Sequence, residues 1–438
     1  MIKKLFLLSV IVSQLTISCS SDDNSSSEEN LNAQIEKILK QPYSTLTPSE
    51  QKLKLEAEAN EMLVQLDKSK STGASDALEN LERLLGINSV DLFNGKNSNE
   101  VEDVLKVSGV YGIYTWNSSQ NKWIKTASTS ELKFVFPAKE SQTTNNANLS
   151  VKSVSSDIKT DFPDSYDPET GEPVYDTYYL PKSADAILTI DGTQAATIAT
   201  STKYSKEGSP EESTYKLTFN GGYAWEMGGK TGSKITSSNA SLSYKEKNLI
   251  KFYAGTTAEI DALMTDSELA EYKGKANGLV QIMDNFVVVS DTDLENSAID
   301  DAKLDDIKFP FDFGSKDYYT DRTAYNLKYS QAVAANFNKN TKAILASKKD
   351  GTKIADVVMR SEESGNYYPY EKWIVDAGHS KGGYWETDYN SQVVVKHYKE
   401  VYYLKFSDNT EVAMSVYFSE GFENLNTKFQ DFFNSLNN

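Results

Sequence analysis

Three stripes of apolar residues in the first hundred positions recur every three or four residues, which is the spacing of one helix face. They are Leu31, Ile35, Ile38 and Leu39, then Leu55, Ala59, Met62, Leu63 and Leu66, then Leu78, Leu81, Leu84 and Leu85. The second stripe follows Thr47, Pro48 and Glu50, which are typical of a helix N-terminus with a capping box. The pattern predicts a small N-terminal helical subdomain over residues 31–105.

From Gly109 onward, apolar and polar residues alternate, which is the pattern of strands with one face in water. It predicts one antiparallel β region over residues 106–290 and a second over residues 291–438, whose strand group begins near Tyr325. Together they predict a large antiparallel sheet, flat or curved. Residues 137–185 are predicted as a loop, because 165–181 contains three prolines, four acidic residues and four tyrosines without periodicity.

A last apolar stripe predicts an amphipathic C-terminal helix that begins near Gly421. Its members are Phe422, Leu425, Phe429, Phe432, Phe433 and Leu436. With helices at both ends and strands between them, the predicted fold class is α+β and β-rich.

The first residues of the chain have the layout of a secretory signal. Residues 1–18 begin with Lys3 and Lys4, continue with a short apolar run and end in small and polar residues. Cys19 follows, at the position where a bacterial lipoprotein receives its lipid. Residues 19–30 form an acidic, Ser-rich stretch that is predicted to be a solvated tether. The sequence thus predicts a membrane anchor through lipid on Cys19, with a secreted protein carrying a stray cysteine as the alternative.

Composition narrows the classes of function. The 438 residues carry a formal net charge of −18, with one cysteine and two histidines. An acid excess disfavours a nucleic-acid partner, because backbone phosphates require Lys and Arg. One cysteine excludes a disulfide scaffold within the chain, and two histidines leave little material for transition-metal or His-based chemistry. We expect no cofactor.

Four segments resemble landmarks of a family of Bacteroidota outer-membrane lipoproteins that are exposed at the cell surface. They are Thr47-Pro48-Ser49-Glu50-Gln51-Lys52, Gly112-Ile113-Tyr114-Thr115-Trp116-Asn117, Phe136-Pro137-Ala138 and Tyr417-Phe418-Ser419-Glu420-Gly421-Phe422. The resemblance spans most of the mature chain and carries no assigned activity. It implies a lipid-anchored protein that faces the outside of the cell.

A literal G-x-S-x-G motif occurs at Gly378-His379-Ser380-Lys381-Gly382. In α/β-hydrolases this motif is a sharp turn between a strand and a helix, which exposes the serine as a nucleophile. Here the following residues alternate like a strand, and the only later histidine is His397. We predict a Gly-rich hairpin turn in which Ser380 is not a nucleophile.

Two further motifs are incomplete. Residues 224–231 approach the phosphate-binding G-x-x-x-x-G-K-[ST] loop, but Ala224 replaces its first glycine and a strand pattern follows. Residues 291–302 begin like a calcium-binding EF-hand, but Asn296 and Ala302 occupy the positions of the required Gly and Glu. An irregular calcium site built from the acidic residues of this stretch stays open as the alternative to a solvated acidic run. Those residues are Asp300, Asp301, Asp305 and Asp306.

Aromatic residues are dense around the glycine-rich segment, and large rigid rings suit stacking on sugars or contact with a protein. The candidate binding residues are Tyr367, Tyr368, Tyr370, Trp373, Tyr384 and Trp385. We expect Tyr368, Trp373 and Trp385 to share an exposed patch; the alternative is that the rings are ordinary residues of a half-buried sheet.

Two classes of function therefore stay open, with a weaker third. The favoured class is a non-enzymatic binding or scaffold module at the cell surface, whose partner is an outer-membrane protein or a glycan. The second is a glycan hydrolase that uses paired carboxylates from Glu362, Glu363, Glu371 and Glu386. The third is a carrier of an apolar ligand in a cavity between sheet and helices.

Overall fold

The computed structural model describes residues 28–69, 73–88, 105, 108–232, 236–257, 274–419 and 422. These residues form a large, mostly antiparallel sheet accompanied by a few helices, so the predicted β-rich character is confirmed. The predicted signal peptide, Cys19 and most of the tether lie outside the described residues. The predicted C-terminal helix lies outside them as well, apart from Phe422.

In the described part of the chain, three helices precede the strands, two lie between β12 and β13, and one short helix follows β18. They are α1 (Glu28–Leu39), α2 (Pro48–Ser69), α3 (Gly73–Ile87), α4 (Leu294–Ala302), α5 (Tyr318–Asn340) and the single turn α6 (Met414–Tyr417). The capping box predicted for α2 is present. The Thr47 N–H donates to Glu50 Oε2 at 2.8 Å, and the Glu50 N–H donates to Thr47 Oγ1 at 3.3 Å.

The strands of the first part of the sheet are joined mostly by short turns. They are β1 (Gly112–Asn117), β2 (Lys122–Thr126), β3 (Leu132–Phe136), β4 (Ala147–Tyr166), β5 (Pro173–Ile190), β6 (Thr193–Tyr204), β7 (Pro210–Phe219), β8 (Tyr223–Thr231) and β9 (Thr236–Tyr244). The remaining strands are β10 (Lys247–Thr256), β11 (Lys275–Ile282), β12 (Phe286–Asp293), β13 (Thr341–Ser347), β14 (Thr352–Tyr367), β15 (Glu371–Val375), β16 (Gly383–Thr387), β17 (Val395–Lys405) and β18 (Glu411–Ala413).

One sixteen-stranded sheet contains every strand named here except β15 and β16. From β3 to β14 each strand pairs with the next one along the chain, and β17 and β18 extend the sheet beyond β14. All neighbours are antiparallel except β1 and β3, which are parallel. Strands β15 and β16 form a separate two-stranded hairpin.

Helices cover both faces of the sheet around β12 and β13. Side chains alternate along a strand, and on β12 Phe286 packs with Leu55 of α2, whereas Val287 packs with Ile35 of α1. Helices α1 and α2 therefore lie on opposite faces. Phe337 of α5 packs on the α2 face.

The connection between α1 and α2 passes beside β14. The Ser44 N–H donates to Lys353 O and the Lys353 N–H donates to Pro42 O, both at 2.7 Å. The Tyr43 hydroxyl donates to Asp356, and the Lys353 ammonium lies 3.8 Å from the centre of the Tyr43 ring. This short pairing fixes the point where the chain moves from one face of the sheet to the other.

Helix α3 packs on the other end of the sheet. Its buried leucines contact apolar residues of β1 and β3–β7, where Tyr114 and Phe134 stack with ring centres 5.4 Å apart. The Asn80 amide donates to Pro137 O at 2.6 Å, which satisfies a buried polar side chain at this contact.

Three sequence-based expectations about the strands need correction. The predicted loop over 137–185 contains most of β4 and β5, which pair with each other as far as Tyr166 and Pro173. The strand group predicted from Tyr325 begins with a helix, because α5 extends to Asn340. The two predicted β regions also share one sheet, since β12 pairs with β13 across residue 290.

Candidate functional site

The hairpin of β15 and β16 carries a pair of indoles packed edge to face. Trp373 and Trp385 are opposite each other in the strand register, with ring centres 5.3 Å apart and planes at 72°. Gly383 lies beneath this pair. A Cβ on Gly383 would clash with Ile374 O and would lie 2.7 Å from the Trp373 ring. The absence of a side chain at residue 383 therefore allows the two indoles to pack.

Three contacts hold the hairpin against the segment 309–315 and the start of α5. The Trp385 Nε1–H donates to Ser315 O at 2.8 Å. Lys381, in the turn between the strands, forms an ion pair with Asp312. The Tyr319 ring meets the Trp385 indole edge to face, with centres 4.8 Å apart. The hairpin is thus fixed at its tip and in its middle.

The segment 309–315 adds rings that the sequence analysis missed. Phe311 and Phe313 expose 74% and 63% of their surface. Phe313 lies 5.0 Å from Tyr318, measured between ring centres, and Tyr318 lies 5.0 Å from Tyr319. The signal in the sequence was the run Phe309-Pro310-Phe311-Asp312-Phe313, which has three phenylalanines in five residues.

Ten aromatic residues lie on the hairpin or next to it, and we call them the aromatic surface. They are Phe311, Phe313, Tyr319, Tyr367, Tyr368, Tyr370, Trp373, Tyr384, Trp385 and Tyr389. The six candidate residues differ in exposure. Tyr367, Tyr368, Tyr370 and Tyr384 are exposed, whereas Trp373 and Trp385 are half-buried against each other. The most exposed ring of the set is Tyr389, at 80%, which lies 5.8 Å from Tyr370 between ring centres.

Carboxylates lie among these rings and are held in their charged form. The Lys381 ammonium lowers the pKa of Asp312 through a side-chain hydrogen bond. The Asn390 N–H and the Ser391 hydroxyl lower the pKa of Asp388. Tyr319 has a raised pKa, first because it is partly buried and then because Glu371 is close. At neutral pH the surface thus presents aromatic faces beside hydrogen-bond acceptors.

The four glutamates of the hydrolase hypothesis are distributed over two elements. On β14, Glu362 accepts a hydrogen bond from the Tyr403 hydroxyl and Glu363 pairs with Lys396 at 2.9 Å. On the hairpin, Glu371 is opposite Thr387 and Glu386 is opposite Lys372, so alternation directs these two glutamates to opposite faces.

The G-x-S-x-G motif forms the turn of the hairpin. The Gly378 N–H donates to Asp376 Oδ1 at 2.9 Å, and Gly382 has a φ of 74°, a conformation that glycine adopts readily. The turn leads into strand β16, whereas a nucleophile elbow leads into a helix. His397 lies on β17, opposite Gly365.

The other two motifs are also part of regular structure. Residues 224–231 lie within strand β8. Asp300 accepts hydrogen bonds from Lys303, Lys339 and Asn340, and the Asn336 amide donates to Asp301. The part of the chain that the structure describes contains no group of three or more His, Cys, Asp or Glu side chains placed to hold a metal ion.

Two cavities lie away from the aromatic surface. One, of about 220 Å³, is lined by residues of β3 and β4 together with Val110 and Tyr111. The other, of about 610 Å³, lies where β4 to β7 meet, and charged side chains contribute to its lining: Asp157, Lys182, Lys203 and Glu212.

Comparison with models of protein families, with curated proteins and with solved structures found no match. Among the described residues, no helix has both the length and the apolar character needed to cross a bilayer.

Proposed function

We propose that this protein is a lipid-anchored binding module of the outer membrane that faces the cell exterior, and that its aromatic surface binds a glycan. The observation that carries the proposal is the set of exposed rings around a hairpin that is fastened to its support. Phe311, Phe313 and Tyr389 each expose more than 60% of their surface, although large apolar side chains are normally buried.

The chemistry of the surface suits a sugar polymer. One face of a sugar ring is lined with C–H groups and packs against an aromatic ring, while its hydroxyls donate hydrogen bonds to carboxylates. Such acceptors are supplied by Glu371, two residues before Trp373 on β15, and by Asp388, next to Tyr389. A protein partner is the alternative ligand, and the experiment below distinguishes the two.

The fastened hairpin supports tight binding. A surface that is already ordered loses little conformational entropy when a ligand binds. Trp385 is fixed by Ser315 and Tyr319, and Lys381 is fixed by Asp312. The exposed rings therefore stand on a rigid base.

The charge of the protein favours an uncharged glycan. The chain has a formal net charge of −18, and Asp312 and Asp388 have lowered pKa values. A polymer of uronic or sulfated sugars would meet like charge, which lowers both the rate of association and the affinity.

Affinity electrophoresis of the mature protein in gels containing a neutral β-glucan, a neutral α-mannan or a polyuronate tests the proposal. We expect retardation by a neutral polymer and none by the polyuronate. Phe313→Ala and Tyr389→Ala should each weaken retardation about tenfold, as loss of a principal contact ring does. Tyr111→Ala, which removes an exposed tyrosine from another part of the sheet, should not. Migration that no neutral polymer alters would contradict the proposal, and ring-dependent capture of a protein instead would assign the surface to a protein partner.

The proposed location rests on the sequence. Cys19 follows a signal-like segment and precedes an acidic tether. The mature chain without Lys3 and Lys4 would be still more acidic, so anionic lipid would not retain it and the lipid on Cys19 would supply the anchor. Cys19→Ala should release the protein from the membrane fraction or leave it unprocessed. Unchanged fractionation and unchanged gel mobility would contradict the anchor.

A further inference from the structure

The hairpin of β4 and β5 extends beyond the strands on either side of it. Strand β3 pairs with β4 only as far as Val151, and β6 pairs with β5 only from Ser183 onward. Between 159 and 179 the two strands pair with each other and with no other named strand. We call residues 159–179 the β arm.

The base of the β arm is attached to the body of the protein. The Ser108 N–H donates to Tyr179 O at 3.0 Å, and the Ser108 hydroxyl donates to the same oxygen. Tyr178 packs against the core beneath α3. At the tip, Asp167 orders the turn by accepting from the N–H groups of Glu169 and Thr170.

Within the described part of the chain, the two outer strand edges of the β arm thus have no neighbouring strand. A two-stranded ribbon is marginally stable in water, and an open edge is a site for pairing with another chain. Pro163 lies on β4 and Pro173 on β5, and proline has no N–H to donate. The prolines disfavour addition of a further strand, so contacts of the β arm are expected through side chains.

Tyrosines and carboxylates are prominent among the exposed side chains of the β arm. Tyr166 exposes 72% and Tyr175 exposes 55% of its surface. The 21 residues contain six acidic residues and one basic residue, Lys159. Asp161, Glu169 and Glu172 form no ion pair with any residue that the structure describes.

We propose that the β arm docks onto a basic surface of a protein partner, with Tyr166 and Tyr175 as the rings that fill apolar sites between its lysines and arginines. Charge complementarity selects this occupant. A second β arm, an anionic membrane or a nucleic acid would each bring like charge to the six acidic residues. The β arm is separate from the aromatic surface, so this docking goes beyond glycan binding and is tested independently of it.

The test places a photo-crosslinking amino acid at residue 175 of the full chain in its native cells, with residue 402 as the control position, which is exposed on β17. We expect an adduct with another protein at 175 and none at 402. Mass spectrometry of the adduct should identify a contact peptide with net positive charge.

Neutral variants separate local from overall charge. The triple change Asp161→Asn, Glu169→Gln and Glu172→Gln should reduce the yield of the adduct about tenfold, because each exposed pair contributes modestly and the three act together. The matched triple Glu207→Gln, Glu246→Gln and Asp284→Asn removes the same charge from other turns and should leave the yield unchanged.

Several results would overturn the docking proposal. They are no adduct, an adduct only with lipid or with a second copy of this chain, a contact peptide without positive charge, or equal loss of yield in both triple variants. Glycan retardation by the aromatic surface should be the same in wild type and in the β-arm triple variant, so the two proposals fail separately.

Discussion

Trp385 joins three parts of the molecule through a single side chain. Its Nε1–H binds Ser315 O, its ring meets Tyr319, and its other contact is Trp373. From the sequence, Trp385 is expected to lie in an exposed patch with Tyr368 and Trp373. In the structure it is half-buried and anchors the hairpin, so the exposed rings around it are the better probes of binding.

Gly383→Ala should loosen the hairpin. The added Cβ would clash with Ile374 O and with the Trp373 ring, so the backbone or the indole must shift to accommodate it. We expect a loss of about 1–3 kcal/mol in the free energy of unfolding of the hairpin, the usual cost of overpacking. Denaturant unfolding followed by tryptophan fluorescence measures the change.

Gly378→Ala, in the turn of the same hairpin, is the matched control. A Cβ there would lie 3.4 Å from Asp376 Oδ1, an ordinary contact, so stability should change by less than about 0.5 kcal/mol. Equal destabilisation by both substitutions would show that the turn, and not the packing of Trp373 on Gly383, determines the effect.

At the scale of elements, Asp300 joins α4 to α5. The carboxylate accepts from Lys303 at 2.7 Å, Lys339 at 2.6 Å and Asn340 at 2.8 Å. These donors, Lys303 first, hold the pKa of Asp300 far below its ordinary value. Asp300, one of the four carboxylates of the irregular calcium site considered from the sequence, therefore serves to attach α4 to α5.

Acid should weaken this attachment. Because the pKa of Asp300 is lower in the folded than in the unfolded chain, its stabilising effect is complete above about pH 4 and is lost as the pH falls further towards the folded value. Asp300→Asn should lower stability at pH 7 and flatten the pH dependence below about pH 4. Melting temperatures between pH 7 and pH 2 measure both effects.

Asp306→Asn serves as the control for the acid experiment. It removes the same charge from the 3-10 turn Lys303–Asp306, which directly follows α4, and its side chain is exposed. We expect the wild-type pH dependence to persist in this variant. A flattened profile in Asp306→Asn as well would assign the acid sensitivity to overall charge.

Asn338, near the end of α5, bonds to the backbone of Met359 on β14 in the way that a neighbouring strand would. Its side chain accepts from the Met359 N–H and donates to Met359 O, both at 2.8 Å. Asn338→Ala should cost about 1–2 kcal/mol, since both backbone groups lose a partner. Asn338→Asp keeps the acceptor for the Met359 N–H but turns a second carboxylate oxygen towards Met359 O, so at neutral pH it should cost at least as much as Asn338→Ala. Denaturant unfolding measures both losses, and an Asn338→Asp variant as stable as the wild type would contradict the two-bond account.

Local sequence patterns correctly predicted an element where residues close together in the chain determine its structure. Thr47 and Glu50 encode a cap within four residues, and α2 begins where they predict. The proline-rich stretch 165–181 was wrongly predicted as a loop because strand prolines are excluded only where a neighbour needs their N–H. On the outer edges of the β arm, none of the strands that the structure describes is such a neighbour. The contact that holds the hairpin against the segment 309–315 could not be predicted from local sequence patterns either, because Asp312 and Lys381 are 69 residues apart in the chain.

At the scale of the whole molecule, α2 spans the boundary that the sequence analysis placed at residue 290. Met62 packs with Leu242 and Met283, which precede the boundary, whereas Leu55 packs with Leu345, which follows it. The sheet also continues across it through the pairing of β12 with β13. Both features favour one cooperative unit on the two sides of residue 290.

We therefore predict that β10–β12 and β13–β14 unfold together. In denaturant, the loss of hydrogen-exchange protection in peptides from the two groups should have the same midpoint. Met62→Ala removes a fully buried side chain and should cost about 2–5 kcal/mol. Because the sheet transmits this loss, both midpoints should shift equally, although the described buried residues that cluster with Met62 all precede the boundary. Leu53→Ala, at a position of α2 that is 66% exposed, should shift neither. A shift confined to β10–β12 would mean that the chain divides at residue 290 despite its continuous sheet.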